Sequence, residues 1–424
     1  TPTPRQPFLN DARISLAAPT QTWSRDDGQC AFPIDGFYHG DTRHLNGIRV
    51  SVVGTQENFD VEWISVVSES SGKVTFGGVL RSFDTGADPY LRVLRTRTVE
   101  PGVVREQIQF VSHQESPVSL RLLLQGCFDF AGMQEVKEGR SGPRQLWLGE
   151  VREEPSAQIT VSHGSAKTQV TFEDGCSAPE VDFGPVGPCE LGFSALWDVS
   201  VETYGTTEVA WVVRMSDSQL PVAPAHEGGT RISVSQDLDG DLGRWVHRAG
   251  QDLEALKLRL WGQSEEFFAA GAPWYLTLFG RDSVWASRFL LPSQPGMALS
   301  TLKVLAGLQG TKYDANSQEQ PGKIIHELRG EPVVMESSGS NLPPLYYGTV
   351  DATPLFVCLL VDVWKSGVPL DQLAEFADPL RRALSWVVTD GDADGDGFLD
   401  YHDESGTGLA NQGWKDSSDS IQWR

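Results

Sequence analysis

The sequence predicts a multi-domain protein, β first and α second: an N-terminal antiparallel β-sandwich followed by a helical domain. Two observations carry this. Residues 23–215 contain short runs rich in Val, Ile, Leu and Phe, punctuated by Gly, Asp, Asn and Ser, the texture of strands joined by turns. From about residue 239 apolar residues recur every three or four positions instead, the period of an amphipathic helix. The polar stretch between them, with its Pro and Gly, suits a linker. The expected organisation is a lead-in over 1–22, a β-domain over 23–215, a linker over 216–238 and a helical domain over 239–424.

Within the β-domain the clearest strands are 48–53, 74–80, 103–111, 118–124, 158–161 and 209–215. Residues 141–188, rich in Gly, Pro and charge, read as long loops. Arg95 and Arg97 alternate and are expected on a solvated strand face, and Asp41 and Arg43 as a pair fixing a turn. In the helical domain, Leu242, Trp245, Val246, Ala249, Leu253, Leu256 and Leu260 mark a helix over 241–262, with Asp239 or Asp241 able to cap it. Further helices are expected over 283–291, 296–309, 353–365 and 379–389. Thr353 and Asp378 would cap the last two, ahead of Pro354 and Pro379 in their first turns.

Composition narrows the function classes. The 424 residues carry 34 Lys and Arg against 57 Asp and Glu, a net charge of −23. Nucleic acid and anionic membrane need basic patches, so neither is an expected partner; a neutral ligand fits. Five cysteines, Cys30, Cys127, Cys176, Cys189 and Cys358, are widely spaced without a CxxC, which points away from a disulfide framework or structural zinc and toward a reducing cytoplasm. The first residues show no apolar signal segment, and runs such as 355–361 are too short to span a bilayer. Nucleotide, zinc-protease and serine-hydrolase motifs are absent from the sequence, and no cofactor is expected.

The stretch 271–292 is the richest in chemistry. Arg281 and Asp282 follow Gly280, amid Trp274, Tyr275, Phe279 and Trp285. Aromatic rings stack on the apolar faces of sugars, and a carboxylic acid in such surroundings can protonate a glycosidic oxygen. The same residues would equally make a buried Arg–Asp pair tying a helix start to the core. A helix N-terminus favours the ionised carboxylate, so an acid role for Asp282 needs an opposing push from burial, a second carboxylate or bound substrate, and needs Arg281 directed elsewhere. Asp392, Asp394, Asp396 and Gly397 have the spacing of a calcium loop, but Asp403 stands where that loop has a bidentate Glu and no second helix follows, so no metal is assigned.

PWYLTLFGRDS at 273–283 resembles the corresponding segment of bacterial glycogen-debranching (amylo-α-1,6-glucosidase-type) proteins. These belong to the (α/α)6-barrel glycoside hydrolases, with trehalases, mannosylglycerate hydrolase and processing α-glucosidase I. GKIIHELRGE at 322–331, LPPLYYGTVDATPLF at 342–356 and the segment 391–421 resemble the family in the same order, as do DGFYHGDTRHLNGI at 35–48 and LRTRTVEPGVVREQIQF at 94–110 for its N-terminal domain. The resemblance implies an α-glucan or α-glucoside substrate, inverting hydrolysis and Asp282 as general acid. It also implies a sugar pocket formed by Trp274, Arg281, Tyr346, Tyr347, Asp351, Trp414, Lys415 and Asp416, with His326, Glu327 and Glu336 as lesser candidates. A toroid of six helical hairpins needs twelve helices, and 239–424 has room for about half that number at typical helix lengths. The C-terminal part of the toroid, and with it the general base, is therefore expected after residue 424. Hydrolysis of small α-glucosides or α-mannosides, and glucan binding without catalysis, are the rival expectations.

Overall fold

The computed structural model describes residues 9–413 except 54–57, 85–86, 141, 143, 153–155, 174, 176, 188, 227–239 and 336–338. It divides into two compact units, Thr1–Ser218 and Gln219–Arg424.

Among the described residues the first unit is built from sixteen strands in chain order. These are β1 (Arg13–Ala17), β2 (Thr20–Ser24), β3 (Gly36–His39), β4 (Thr42–Val53), β5 (Asn58–Phe59), β6 (Glu62–Ser70), β7 (Lys73–Val79) and β8 (Leu91–Glu100). After them come β9 (Val103–Ser112), β10 (Val118–Gly132), β11 (Trp147–Arg152), β12 (Gln158–His163), β13 (Ala166–Phe172), β14 (Glu180–Val186), β15 (Cys189–Val201) and β16 (Thr206–Asp217). A short helix α1 (Met133–Lys137) follows β10. One eight-stranded sheet runs β1-β2-β3-β4-β10-β15-β14 with β5 paired to β4; the other runs β11-β12-β13-β16-β9-β8-β7-β6. Every pairing is antiparallel, as expected of strands linked by short turns.

Alternation makes the sandwich. In β9, Val104, Glu106, Ile108 and Phe110 face inward while the residues between them do not. Phe37, Leu45, Ile48, Leu122, Leu124 and Trp197 of the first sheet share one core cluster with Val93, Ile108, Phe110, Phe172, Trp211 and Val213 of the second. Burying each such side chain stabilises by about 1.5–3 kcal/mol. The rings of Trp197 and Trp211 lie 6.2 Å apart.

Four expectations are corrected. β1 and the start of β2 lie within the stretch read as a lead-in. β11 to β14 occupy much of 141–188; β11 is exposed along its whole length, so no apolar alternation marks it. Arg95 and Arg97 are fully buried and share Glu106: Arg95 Nη2 donates to Oε2 at 2.7 Å and Arg97 Nε to Oε1 at 2.5 Å. Arg43 pairs with Asp129 across the sheet, at 2.5 Å, in place of Asp41.

The second unit is mostly helical. Its helices are α2 (Gly240–Ala255), α3 (Gly280–Leu290), α4 (Pro295–Gly307), α5 (Ala352–Lys365), α6 (Leu370–Leu373) and α7 (Ala377–Val388). α3, α4 and α5 pack mutually through Val284, Leu302, Leu305, Phe356 and Leu359, all buried. α2 stops at Ala255, short of the expected 262, because Lys257–Leu260 pairs as a strand with Glu266–Phe268 and Val222–Pro224. α5 and α7 begin one and two residues early. The Thr353 hydroxyl accepts from the Ile324 N–H at 2.9 Å instead of capping its own helix. Among the described residues no helix is long and apolar enough to cross a membrane.

Candidate active site

Three stretches distant in sequence meet in the second unit. The first is the start of α3. Phe279 is extended and Gly280 opens the helix, its N–H donating to the His326 carbonyl at 2.9 Å. A Cβ at 280 would sit 2.2 Å from the Ile325 carbonyl oxygen, so only glycine lets the helix begin against that chain. Arg281 and Asp282 follow in the first turn, with Asp282 the acidic residue at the positive end of the helix.

The second stretch leads into α5. Asp351 is the residue before the helix; its Oδ1 accepts from the Thr349 hydroxyl at 2.7 Å. The third is 411–413. The Gln412 carbonyl accepts from Val350 N at 3.1 Å and from the Thr349 hydroxyl at 3.3 Å, which pins the two stretches together.

Arg281 joins all three. Its side chain is buried, with 8% exposure. Nη1 donates to the Gly413 carbonyl and lies 3.4 Å from Asp351 Oδ2, while Nε lies 3.8 Å from Asp282 Oδ2. The guanidinium thus reaches Gly413, Asp351 and, at longer range, Asp282. The two carboxylates keep 29% and 23% side-chain exposure, so solvent or a ligand reaches both. Such a pair on a rigid frame can accept hydroxyl protons of a sugar or exchange a proton with it.

The aromatic candidates divide. Tyr275 is 40% exposed and packs edge-on against Phe279, which packs edge-on against His326, which meets Tyr346 in the same way. Trp274, Tyr346 and Tyr347 are buried. The Tyr346 hydroxyl accepts from Leu409 N at 2.9 Å, and the Tyr347 hydroxyl donates to the Leu308 carbonyl at 2.8 Å. Burial raises both phenols well above the usual tyrosine value, so they stay neutral. Among these rings Tyr275 is the exposed one. Phe289, an apolar residue of α3, is 75% exposed and stacks on Trp285.

Glu327 is buried in an ion pair with Arg329 at 3.0 Å, and His326 is buried in the ring stack. Trp414, Lys415, Asp416 and Glu336 lie outside the described residues; the first three follow directly on Gly413. One neighbour escaped sequence reasoning. Tyr401 stands beside the site, its hydroxyl where a Cβ on Gly413 would fall 2.0 Å away. Burial, then the Asp351 charge, push its pKa up, and Arg281 opposes them. No local pattern distinguishes Tyr401 from a turn residue.

In the acidic loop, one oxygen each of Asp392, Asp394 and Asp400 lie within 4.8 Å of one another, and these carboxylates accept backbone N–H groups of the loop itself. Asp403, the twelfth position of the calcium-like pattern, is turned to Gln318 at 2.8 Å and to Gly408 N at 2.9 Å.

Residues 17–212 match the family model described as the N-terminal domain of (some) glycogen debranching enzymes, and the first unit carries that domain. No curated protein matches the chain. Among solved structures, a bacterial glucoamylase complexed with acarbose is similar over 91% of this chain, with a TM-score of 0.52 and 9% identity. That match spans 59% of the glucoamylase, less than two thirds of its length. A protein from the human microbiome, provisionally designated a kojibiose phosphorylase, is similar over 89% of this chain and 68% of its own, with a TM-score of 0.50 and 8% identity. At such identities the likeness is one of fold: a large antiparallel β-domain followed by helices.

Proposed function

We propose that this chain belongs to an inverting glycoside hydrolase acting on α-linked glucans or glucosides, of the amylo-α-1,6-glucosidase type, with its helical unit forming part of an (α/α)6 toroid. The observation that carries the reading is the meeting of Gly280–Asp282, Thr349–Asp351 and 411–413 at two solvent-reachable carboxylates bridged by one buried arginine. The debranching-type N-terminal domain and the glucoamylase-like fold support it.

In this reading Asp282 protonates the glycosidic oxygen and a base carboxylate activates water across the ring, roughly 6.5–9.5 Å away. Asp351 and Arg281 bind hydroxyls, Tyr275 offers the stacking ring at the mouth, and Trp274, Tyr346 and Tyr347 shape the wall. Trp414, Lys415 and Asp416, entering directly after Gly413, complete the subsite. The base is assigned to none of the described residues. Bound sugar excludes water from Asp282, which supplies the push toward its protonated form that an acid requires.

The test uses the full-length enzyme on limit dextrin, isomaltose and a glucosyl fluoride. Wild type releases glucose, and NMR of the first product shows the β-anomer. General acid catalysis contributes about 10²–10⁴-fold, so Asp282→Asn loses that much kcat on the glucans while sparing the fluoride, whose leaving group needs little protonation. Equal losses on both substrates refute the acid assignment, an α-anomer refutes inversion, and binding of dextrin without turnover by wild type leaves a glucan-binding protein.

A further inference from the structure

The first unit holds an open cleft of about 1000 Å³ on its own surface, lined among others by Phe32, Arg49, Gln125, Arg144, Cys127 and Cys189. The two cysteines belong to neighbouring strands. Cys127 pairs in register with Gly192 near the end of the regular β10–β15 ladder, and Cys189 opens β15 across a tight turn from Val186. Cys127 Sγ lies 3.8 Å from the Val186 carbonyl. Gly47 closes the other side, since a Cβ there would stand 3.3 Å from the Cys127 sulfur. Cys189 Sγ lies 3.0 Å from the Leu191 carbonyl, and each thiol influences the ionisation of the other. Cys127 is 9% exposed, while Cys189 is half-buried and opens to the cleft.

We propose that Cys127 and Cys189 form a thiol–disulfide exchange site in this cleft, with Cys189 as the attacking sulfur, Cys127 as the resolving one and a low-molecular-weight disulfide as co-reactant. The asymmetry has a physical cause. The neighbouring Cys127 thiol lowers the pKa of Cys189 against the opposing effect of burial, and Cys189 is the more open of the two to the cleft. The same contact, with burial, holds Cys127 protonated. In the first step the Cys189 thiolate attacks one sulfur of the small disulfide, forming a mixed disulfide and expelling one small thiolate. Cys127 then gives its proton to solvent, its sulfur attacks Cys189 Sγ, and the second small thiolate leaves. Two protein thiols are oxidised and one small disulfide is reduced to two thiols. The bridge would fasten the 186–189 turn to β10 along the cleft wall.

Two other cysteines serve as internal controls. Cys358 is exposed and belongs to the second unit, so it reports that the reagent is active. Cys30 is buried, which pushes its thiol up to about 12, so it reacts only if the domain opens.

The experiment treats the native chain with oxidised glutathione, quenches in acid and maps peptides. Wild type yields a Cys127–Cys189 linked peptide that dithiothreitol reverses, without glutathione on either residue. Cys127→Ser traps glutathione on Cys189, and Cys189→Ser leaves Cys127 unmodified while Cys358 still reacts. Where a serine variant exposes Cys30, the alanine variant at the same position replaces it. A stable adduct on Cys189 in wild type with no bridge, or prompt modification of Cys127 in the Cys189 variant, overturns the proposal.

Discussion

Arginine meets carboxylate in both units, and the two clusters are built to opposite ends. In the β-domain, Glu106 takes Arg95 at 2.7 and 2.9 Å and Arg97 at 2.5 Å, all three side chains wholly buried. Arg97 Nη2 also donates to the Gly28 carbonyl at 2.7 Å. In the helical unit, Arg281 stands 3.4 and 3.8 Å from two carboxylates that are each about a quarter exposed. The first cluster has its carboxylate saturated at short range and closed to ligands. The second leaves its carboxylates partly exposed, each at longer range from its arginine. Burial with short contacts on every oxygen marks an ion cluster that maintains the fold, whereas long contacts on exposed oxygens mark one able to exchange partners.

The largest effect that can break this contrast is at Glu106. Glu106→Gln leaves two buried guanidinium groups against a neutral amide and should cost about 3–5 kcal/mol in urea unfolding of the first unit. A loss under about 1 kcal/mol would mean that the cluster is not the fold-maintaining kind.

Acid gives the next effect. His39 is buried with its Nδ1 2.9 Å from the Thr20 hydroxyl, and burial lowers its pKa to about 4. His44 is lowered in the same direction by burial. The unfolded chain therefore takes up these protons first. The stability they contribute is complete above about pH 6.5 and is lost as the pH falls through the folded value, on the order of 3 kcal/mol for His39. His39→Asn, which keeps an acceptor for Thr20, should lose measurably less stability than wild type between pH 7 and pH 4. Identical slopes would remove His39 from the account.

At Asp282 the stability effect should be smaller still. Asp282 is 29% exposed and its contact with Arg281 is long, at 3.8 Å, so Asp282→Asn should shift unfolding by less than about 1 kcal/mol. A cost approaching that of Glu106→Gln would place Asp282 with the structural cluster. Smallest of all is calcium. Its addition to EDTA-treated protein should give no micromolar isotherm, because Asp403 is engaged away from the loop. A one-to-one isotherm abolished by Asp394→Ala would reverse that.

Most of the frame was legible in the sequence, because amphipathic periods are set by burial. The four helices expected after residue 280 lie within a few residues of their observed bounds. Arg95 and Arg97 could have been placed correctly too. They share the parity of Leu91, Val93 and Val99, and Arg97 lies opposite Glu106, itself in step with Val104 and Ile108. Parity along the strand, and not charge, decides their burial. Where neither acts the sequence is mute: β11 buries no face, and α2 ends through partners found only in three dimensions. At the candidate site, Arg281, Asp282 and Asp351 stood out through family resemblance. The joining of 349–351 to 411–413 is made by backbone carbonyls, which any residue carries, so side-chain identity did not foretell it.

Gly280 fixes more than the start of a helix. The carboxylate two residues on is referenced to the Ile325 and His326 carbonyls by direct backbone contact, with no intervening side chain that could be exchanged. A lineage under selection for new substrates could revise Tyr275, Trp285 or Tyr401 one codon at a time, yet every replacement at 280 would displace the Arg281–Asp282 turn at once. In a saturation library read out by growth on a glucan, position 280 should therefore behave as a fixed datum, intolerant even of alanine, while the rings around it drift.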